Sequence, residues 1–221
     1  MGGPRKFRFV EDHPPGAVRT LGALVRLRAE QTPELQLYTH LGDGERASET
    51  LSAAQLDRRA RAIAASLSAV PAGSRVLLPF DAGLDFVPAL VACTLIGAIA
   101  VPVPAPGGGG RGLERLRAIC ADAGVAAVLT TSAVAERAAG LRAALPGASW
   151  WTTDVADELG DGFVAGVEVG PETPAYLQYT SGSTRPRTAA AAPRTAGRGR
   201  GTPAPSTPSR CPPRTETSRS A

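Results

Sequence analysis

Around residue 180 the sequence gathers side chains that suit a polyphosphate: Thr180-Ser181-Gly182-Ser183-Thr184. Gly182 lets the backbone approach an anion closely and adopt positive φ, so that successive N–H groups converge on phosphate oxygens. The hydroxyls of Thr180, Ser181, Ser183 and Thr184 add donors, and a Ser or Thr oxygen also reaches a phosphate-bound magnesium. A hydrogen bond to a charged group contributes about 1.5–3 kcal/mol, so a few of them hold ATP with micromolar to millimolar affinity. Taken alone, such a run is more often an ordinary surface loop. The elements that deliver it to the protein surface carry the weight.

TPAYLQYT at 173–180 reads as a strand running into that loop. Upstream, helical and strand signals alternate as in an α/β protein with a largely parallel sheet and flanking helices. Val18, Leu21, Leu24 and Val25 lie at helical spacing, with Pro33 closing that helix, and Leu35 to Tyr38 reads as a strand. In LSAAQLDRRARAIAASL, Ser52 and Gln55 are spaced as a capping box and Leu51 and Leu56 as a hydrophobic staple. Leu56, Ala60, Ile63, Ala64 and Leu67 form that helix's apolar stripe, and Pro71 and Gly73 end it. RVLLP at 75–79 is a short buried strand, a helix from Phe86 ends near Gly97, and AIAVPV at 98–103 is the next strand. The unit repeats with a helix through Leu113, Leu116, Ile119 and Cys120, a cap at Gly124 and a strand VAAVLT at 125–130. The stretch through Trp150 and Trp151 gives a weaker signal.

The 221 residues are 43% hydrophobic and 20% charged, a globular composition, but 186–221 contain no Val, Ile, Leu, Met, Phe, Trp or Tyr and are read as a disordered tail. That tail holds seven Arg against Glu216, a net of +6, so the overall +4 leaves −2 for residues 1–185. The basic balance is therefore not a property of the folded body. Three cysteines, at 93, 120 and 211, show neither a C-x-x-C spacing nor an even count, which argues against a zinc site or a disulfide framework and for a reducing cytoplasm. Arg5, Lys6 and Arg8 are followed by no apolar stretch, unlike a signal peptide. Phe86 to Ala105 is uncharged over twenty residues, but Pro88, Gly97, Pro102 and Pro104 interrupt it, so a buried helix and strand account for it better than a membrane span.

AYLQYTSGSTR at 175–185 is similar to the phosphate-loop motif of acyl-adenylate-forming enzymes, in the version found in fatty-acyl-AMP ligases. Acyl-CoA ligases usually carry Gly after the final Thr, whereas Arg185 stands there in this chain. YTHLGDGERASETLSAAQLDRRARAIAASL at 38–67, GSRVLLPFDAGLDFVPALVACTLIGAIAVPVPAP at 73–106 and LERLRAICADAGVAAVLTTS at 113–132 resemble the same family's amino-terminal region. The resemblance covers about residues 17–185. It implies ATP- and magnesium-dependent activation of a fatty acid: the carboxylate attacks the α-phosphate, pyrophosphate leaves, and the acyl-adenylate passes to an acyl carrier protein of a polyketide or lipid synthase. Carried over by position, Thr180, Ser181, Gly182, Ser183 and Thr184 would embrace the β- and γ-phosphates, Thr184 would help orient magnesium through them, and Arg185 would add positive charge at the loop's edge.

After Arg185 the family pattern continues into a Val-rich strand, and this chain does not follow it. The tail's residue types are those of GC-rich codons, as in a gene read out of frame, with a genuine basic tail as the other reading. The resemblance places the acyl tunnel, the adenine and ribose contacts and the catalytic lysine beyond this point, and the chain's single lysine, Lys6, lies in a polar amino-terminal arm. The expectation is a partial domain over 1–185 with no catalytic residue of its own and no adenylation activity alone. Two alternatives stay open. One is a fragment of an acyl-CoA ligase or a peptide-synthetase adenylation domain. The other is a non-catalytic α/β module whose tail, with RGRG at 198–201, binds RNA or a membrane; the absence of aromatics in the tail argues against specific nucleic-acid recognition. Gly107–Gly110 read as a surface loop, His13 and His40 as solvated, and Cys93 and Cys120 as core residues.

Overall fold

The computed structural model describes residues 18–107, 110–154, 169–180 and 190–192, of which 110, 111 and 190–192 are described by their backbone alone. Helix α1 (Leu21–Gln31) begins where the Thr20 hydroxyl accepts from the Ala23 amide at 3.2 Å. It is followed by an antiparallel hairpin, β1 (Gln36–Leu41) and β2 (Ala47–Ser52). The capping box is formed: the Ser52 hydroxyl accepts from the Gln55 amide at 3.3 Å, and the Gln55 side chain accepts from the Ser52 amide at 2.9 Å. Leu51 and Leu56, the two halves of the staple, are both buried against helix α2 (Ala53–Ser66).

The second half is a six-stranded sheet in the order β6-β5-β3-β4-β7-β8. Its strands are β3 (Arg75–Phe80), β4 (Ile99–Pro104), β5 (Val125–Thr130), β6 (Ser149–Thr152), β7 (Tyr176–Gln178) and β8 (Ala190–Ala192). All neighbours are parallel except the β7–β8 pair, which matches the largely parallel sheet expected from the alternation. Helices α3 (Phe86–Leu95), α4 (Gly110–Ala123), α5 (Ser132–Arg137) and α6 (Ala139–Ala144) make the crossovers.

Alternation along β3 separates two cores. Val76, Leu78 and Phe80 join Ile63, Ala92, Cys93 and Ile96 on the α2–α3 face, while Leu77 joins Leu116, Ile119, Cys120 and Leu141 on the α4–α6 face. Val76, Leu77 and Leu78 are fully buried, as a central parallel strand requires, each worth about 1.5–3 kcal/mol in transfer free energy. A third cluster, Val25, Leu51, Leu56, Ala60, Leu84 and Val91, fastens α1 and the hairpin onto α2 and α3. α1 crosses so close to α3 that a Cβ at Gly22 would lie 2.6 Å from Leu95 Cδ2.

The uncharged Phe86–Ala105 segment divides as expected into α3 and β4. Pro88 sits in the first turn of α3, where its missing N–H costs nothing, and Gly97 (φ 70°) ends the helix while Ala98 donates to the Cys93 carbonyl at 2.9 Å. Among the described residues no helix is long and apolar enough to cross a membrane. Cys93 and Cys120 are buried and free, and burial pushes the Cys93 thiol up to about 12.

Four readings need adjustment. The strand at 35–38 is half of a hairpin. The weak stretch around the tryptophans contains α5, α6 and β6, with the Arg142 guanidinium 4.2 Å above the Trp150 ring. Gly110 starts α4 rather than closing a loop. Ala190–Ala192 pair with β7, so this short part of 186–221 is strand rather than disordered; backbone groups alone make that ladder, and alanines suffice for it. The rest of the tail, together with Lys6, His13 and Cys211, lies outside the described residues.

Replacing Ser52 with Ala removes the cap at the start of α2 and is expected to cost about 1 kcal/mol, whereas Leu56→Ala opens the cluster beneath it and costs about 2–5 kcal/mol. Urea midpoints of the two variants check the order. Equal effects would mean that the staple is not packed as described.

Candidate functional site

Parallel strands joined by helical crossovers all end on one edge of the sheet, and that edge is where an α/β fold builds its sites. Here it carries Asp81 after β3, Ala105 to Gly107 after β4, Thr131 and Ser132 after β5, Thr153 and Asp154 after β6, and Tyr179 and Thr180 after β7. Two polar groups knit its β3–β6 half. Arg137 pairs with Asp81, and Asp154 accepts from the Ser132 amide at 2.9 Å, which holds its carboxyl below the usual range despite the opposing effect of burial. The buried Thr130 hydroxyl donates to the Pro79 carbonyl.

The β4–β7 half holds the candidate site. Thr180 is exposed at its rim. Ser181, Gly182, Ser183, Thr184 and Arg185 lie outside the described residues. Beside Thr180 is a cavity of about 160 Å³ whose walls include Pro102, Val103, Leu116, Ile119 and Tyr179, with the exposed Arg115 contributing a guanidinium. An apolar pocket with one cation, lined by Tyr179 and so adjoining the exposed Thr180 on the carboxyl-terminal edge, suits a ligand that joins an anionic part to a less polar one. Among the described residues no three His, Cys, Asp or Glu gather as a metal site. His40, read as solvated, is partly exposed on the hairpin and approaches the Ser48 hydroxyl at 3.2 Å.

Tyr179 fixes the base of the loop. Only 9% of its surface is exposed, its ring packs among Val101, Val103, Leu116, Ile119 and Cys120, and its hydroxyl donates to Asp122 Oδ2 at 2.6 Å. Burial, then the bonded Asp122 carboxylate, push the phenol from its ordinary 10 up to about 12. The sequence reading used neither Arg115 nor Asp122. Both sit on α4, one placed by helical period on the flank of the cavity and the other in the last turn, where an acid opposes the helix dipole and so calls for a partner.

The chain matches the family model described as AMP-binding enzyme over residues 25–185, which stops at Arg185, where the departure from the family pattern was read. It is 34% identical over 172 residues to the medium-chain-fatty-acid–[acyl-carrier-protein] ligase JamA of Moorena producens, covering 75% of this chain and 29% of that protein. It is also 34% identical over 177 residues to the long-chain-fatty-acid–AMP ligase FadD28 of Mycobacterium tuberculosis, covering 76% and 30%. The chain thus spans about 30% of the length of these curated relatives. The fold superposes on the crystal structure of a fatty acyl-adenylate ligase from L. pneumophila in complex with acyl adenylate and pyrophosphate, with a TM-score of 0.68, 28% identity, and coverage of 80% of this chain and 31% of that one.

The phenol shift sets an alkaline signature. Below pH 10 Tyr179 is neutral in folded and unfolded chains and its contribution is whole; from about 10 to about 12 the unfolded chain ionises first, so stability falls as pH rises. Tyr179→Phe is expected to remove that component from the pH dependence of urea unfolding, leaving the part due to the buried thiols of Cys93 and Cys120. An unchanged curve would contradict the buried, bonded phenol.

Proposed function

Because the chain belongs to the AMP-binding enzyme family over residues 25–185, we propose that it is the amino-terminal, ATP-phosphate-binding part of a fatty-acid-activating ligase. The observation that carries this reading is the attachment of Thr180-Ser181-Gly182-Ser183-Thr184-Arg185 to the carboxyl-terminal end of a parallel strand, beside a cavity with one guanidinium. In this proposal the amides around Gly182 and the four hydroxyls hold the β- and γ-phosphates. Thr184 meets magnesium through the phosphates it carries, and Arg185 offsets charge at the rim. ATP with magnesium supplies the activated α-phosphate; the chain's own residues bind and orient the leaving pyrophosphate portion.

The substrate is a fatty acid and the acceptor of the acyl group an acyl carrier protein, of the kind that serves a polyketide or lipid synthase. The similarity to a fatty-acid–[acyl-carrier-protein] ligase and a fatty-acid–AMP ligase supports that choice over an acyl-CoA ligase or a peptide-synthetase domain, as does Arg185. A boundary near 185, a reducing cytoplasmic setting suited to the free buried Cys93 and Cys120, and lack of turnover by the 221-residue chain alone complete the proposal. The last point rests on composition: the chain's single lysine is Lys6, in the polar amino-terminal arm, and a lysine stabilising charge on the transferring phosphate contributes several kcal/mol in such reactions.

Calorimetry with magnesium and ATP is expected to give a dissociation constant between micromolar and millimolar, and Gly182→Val to weaken it about tenfold or more. ATP–pyrophosphate exchange with a long-chain fatty acid is expected at background. Exchange above background overturns the claimed lack of turnover. Binding that survives Gly182→Val but disappears when the seven tail arginines are neutralised would assign the polyanion affinity to the tail.

A further inference from the structure

The attachment of β7 to the sheet is unusually short. Ala100 is its one register partner on β4, through Tyr176, and Ala100 donates to the Ala175 carbonyl at 3.0 Å. In a parallel ladder alternate residues of a strand face the same neighbour, so the next β4 donor toward β7 falls at Pro102 and the one after at Pro104. Neither has an N–H. On the β4 side, no N–H beyond that of Ala100 is therefore offered toward β7, just where Thr180 leaves the sheet.

A side chain takes over that task. The Tyr179 ring fills the α4-facing core, and its hydroxyl reaches Asp122 Oδ2 at 2.6 Å, within the range of charge-assisted O–H···O⁻ bonds. Asp122 is in the last turn of α4, where a carboxylate is disfavoured by the helix dipole, and it is exposed, so folding gains little by burying it. Its position is explained by what it holds.

We propose that Asp122 is a positioning residue for the phosphate loop: by accepting the Tyr179 hydroxyl it fixes the direction in which Thr180 leaves the sheet. This rests on the phosphate-loop reading above. A purely structural bond would behave differently, because Phe at 179 keeps the ring in the core and the exposed Asp122 is simply rehydrated. The loss of stability is then no more than that of one partly exposed hydrogen bond, while the exit of Thr180 from the sheet is no longer fixed.

The test measures magnesium–ATP affinity and thermal midpoint for the full chain and for Tyr179→Phe, Asp122→Ala and Asp122→Asn. Asn retains an acceptor oxygen. Expected is a loss of about tenfold or more in affinity for Tyr179→Phe and Asp122→Ala, with Asp122→Asn within about threefold of the parent and midpoints little moved. Unchanged affinity in the first two, or equal loss in Asp122→Asn and Asp122→Ala, overturns the proposal. If the parent chain binds no magnesium–ATP, the phosphate-loop reading fails and amide hydrogen exchange decides the positioning claim. Faster exchange of 180–185 in Tyr179→Phe and Asp122→Ala, but not in Asp122→Asn, supports it, and unchanged exchange overturns it.

Discussion

Burial of β3 on both faces is the constraint from which the rest of the architecture follows. A strand with Val76, Leu77 and Leu78 fully buried needs a layer of helices on each side, and parallel neighbours on both of its edges supply those layers through their crossovers. The same crossovers send every strand's carboxyl end to one edge. Thr180 therefore emerges beside the loop after β4 and above α4, without any local preference of its own sequence demanding it. The candidate site is a product of topology first and of residue chemistry second.

That dependence explains how loosely the last parallel strand is held. Pro102 and Pro104 lie in register with Leu78 and Phe80 of β3 but present no donors toward β7. The loop that the proposed chemistry needs is thus anchored through a side chain to a helix formed 57 residues earlier in sequence. Such an arrangement ties the point from which Thr180 leaves the sheet to α4. The cavity flanked by Tyr179 and Arg115 adjoins the same point, so apolar surface and one cation meet where Thr180 leaves the sheet.

Much of this was legible from residue pattern. The strands at 75–80, 99–104 and 125–130 are short apolar runs between turn residues, and α2 carries its own start signal in Ser52 and Gln55. Elements outside the two-sided core were harder to see. β1 and β2 are largely exposed on both faces and show no clean alternation; the one local clue was Asp43-Gly44, where the Asp43 carboxylate accepts from the Glu45 and Arg46 amides and Gly44 turns at φ 83°. α5 and α6 are six residues each, too short for a helical period to stand out. At the site, the loop's residue types and Tyr179 could be read directly, but the Tyr179–Asp122 bond could not, because only the fold brings those positions together. Membership of the AMP-binding family was legible from AYLQYTSGSTR and the segments upstream of it; the partner acid on α4 carried no motif.

The proposed function requires the backbone amides around Gly182 to converge on the triphosphate of ATP. Amide chemical shifts of the isotopically labelled full chain, titrated with magnesium and a non-hydrolysable ATP analogue, test it most directly. The account predicts saturable shifts largest at Ser181, Gly182, Ser183 and Thr184, with smaller ones at Thr180 and Tyr179. Shifts confined to the arginine-rich residues beyond 186, or absent from the amides of 181–184 at saturation, would contradict it.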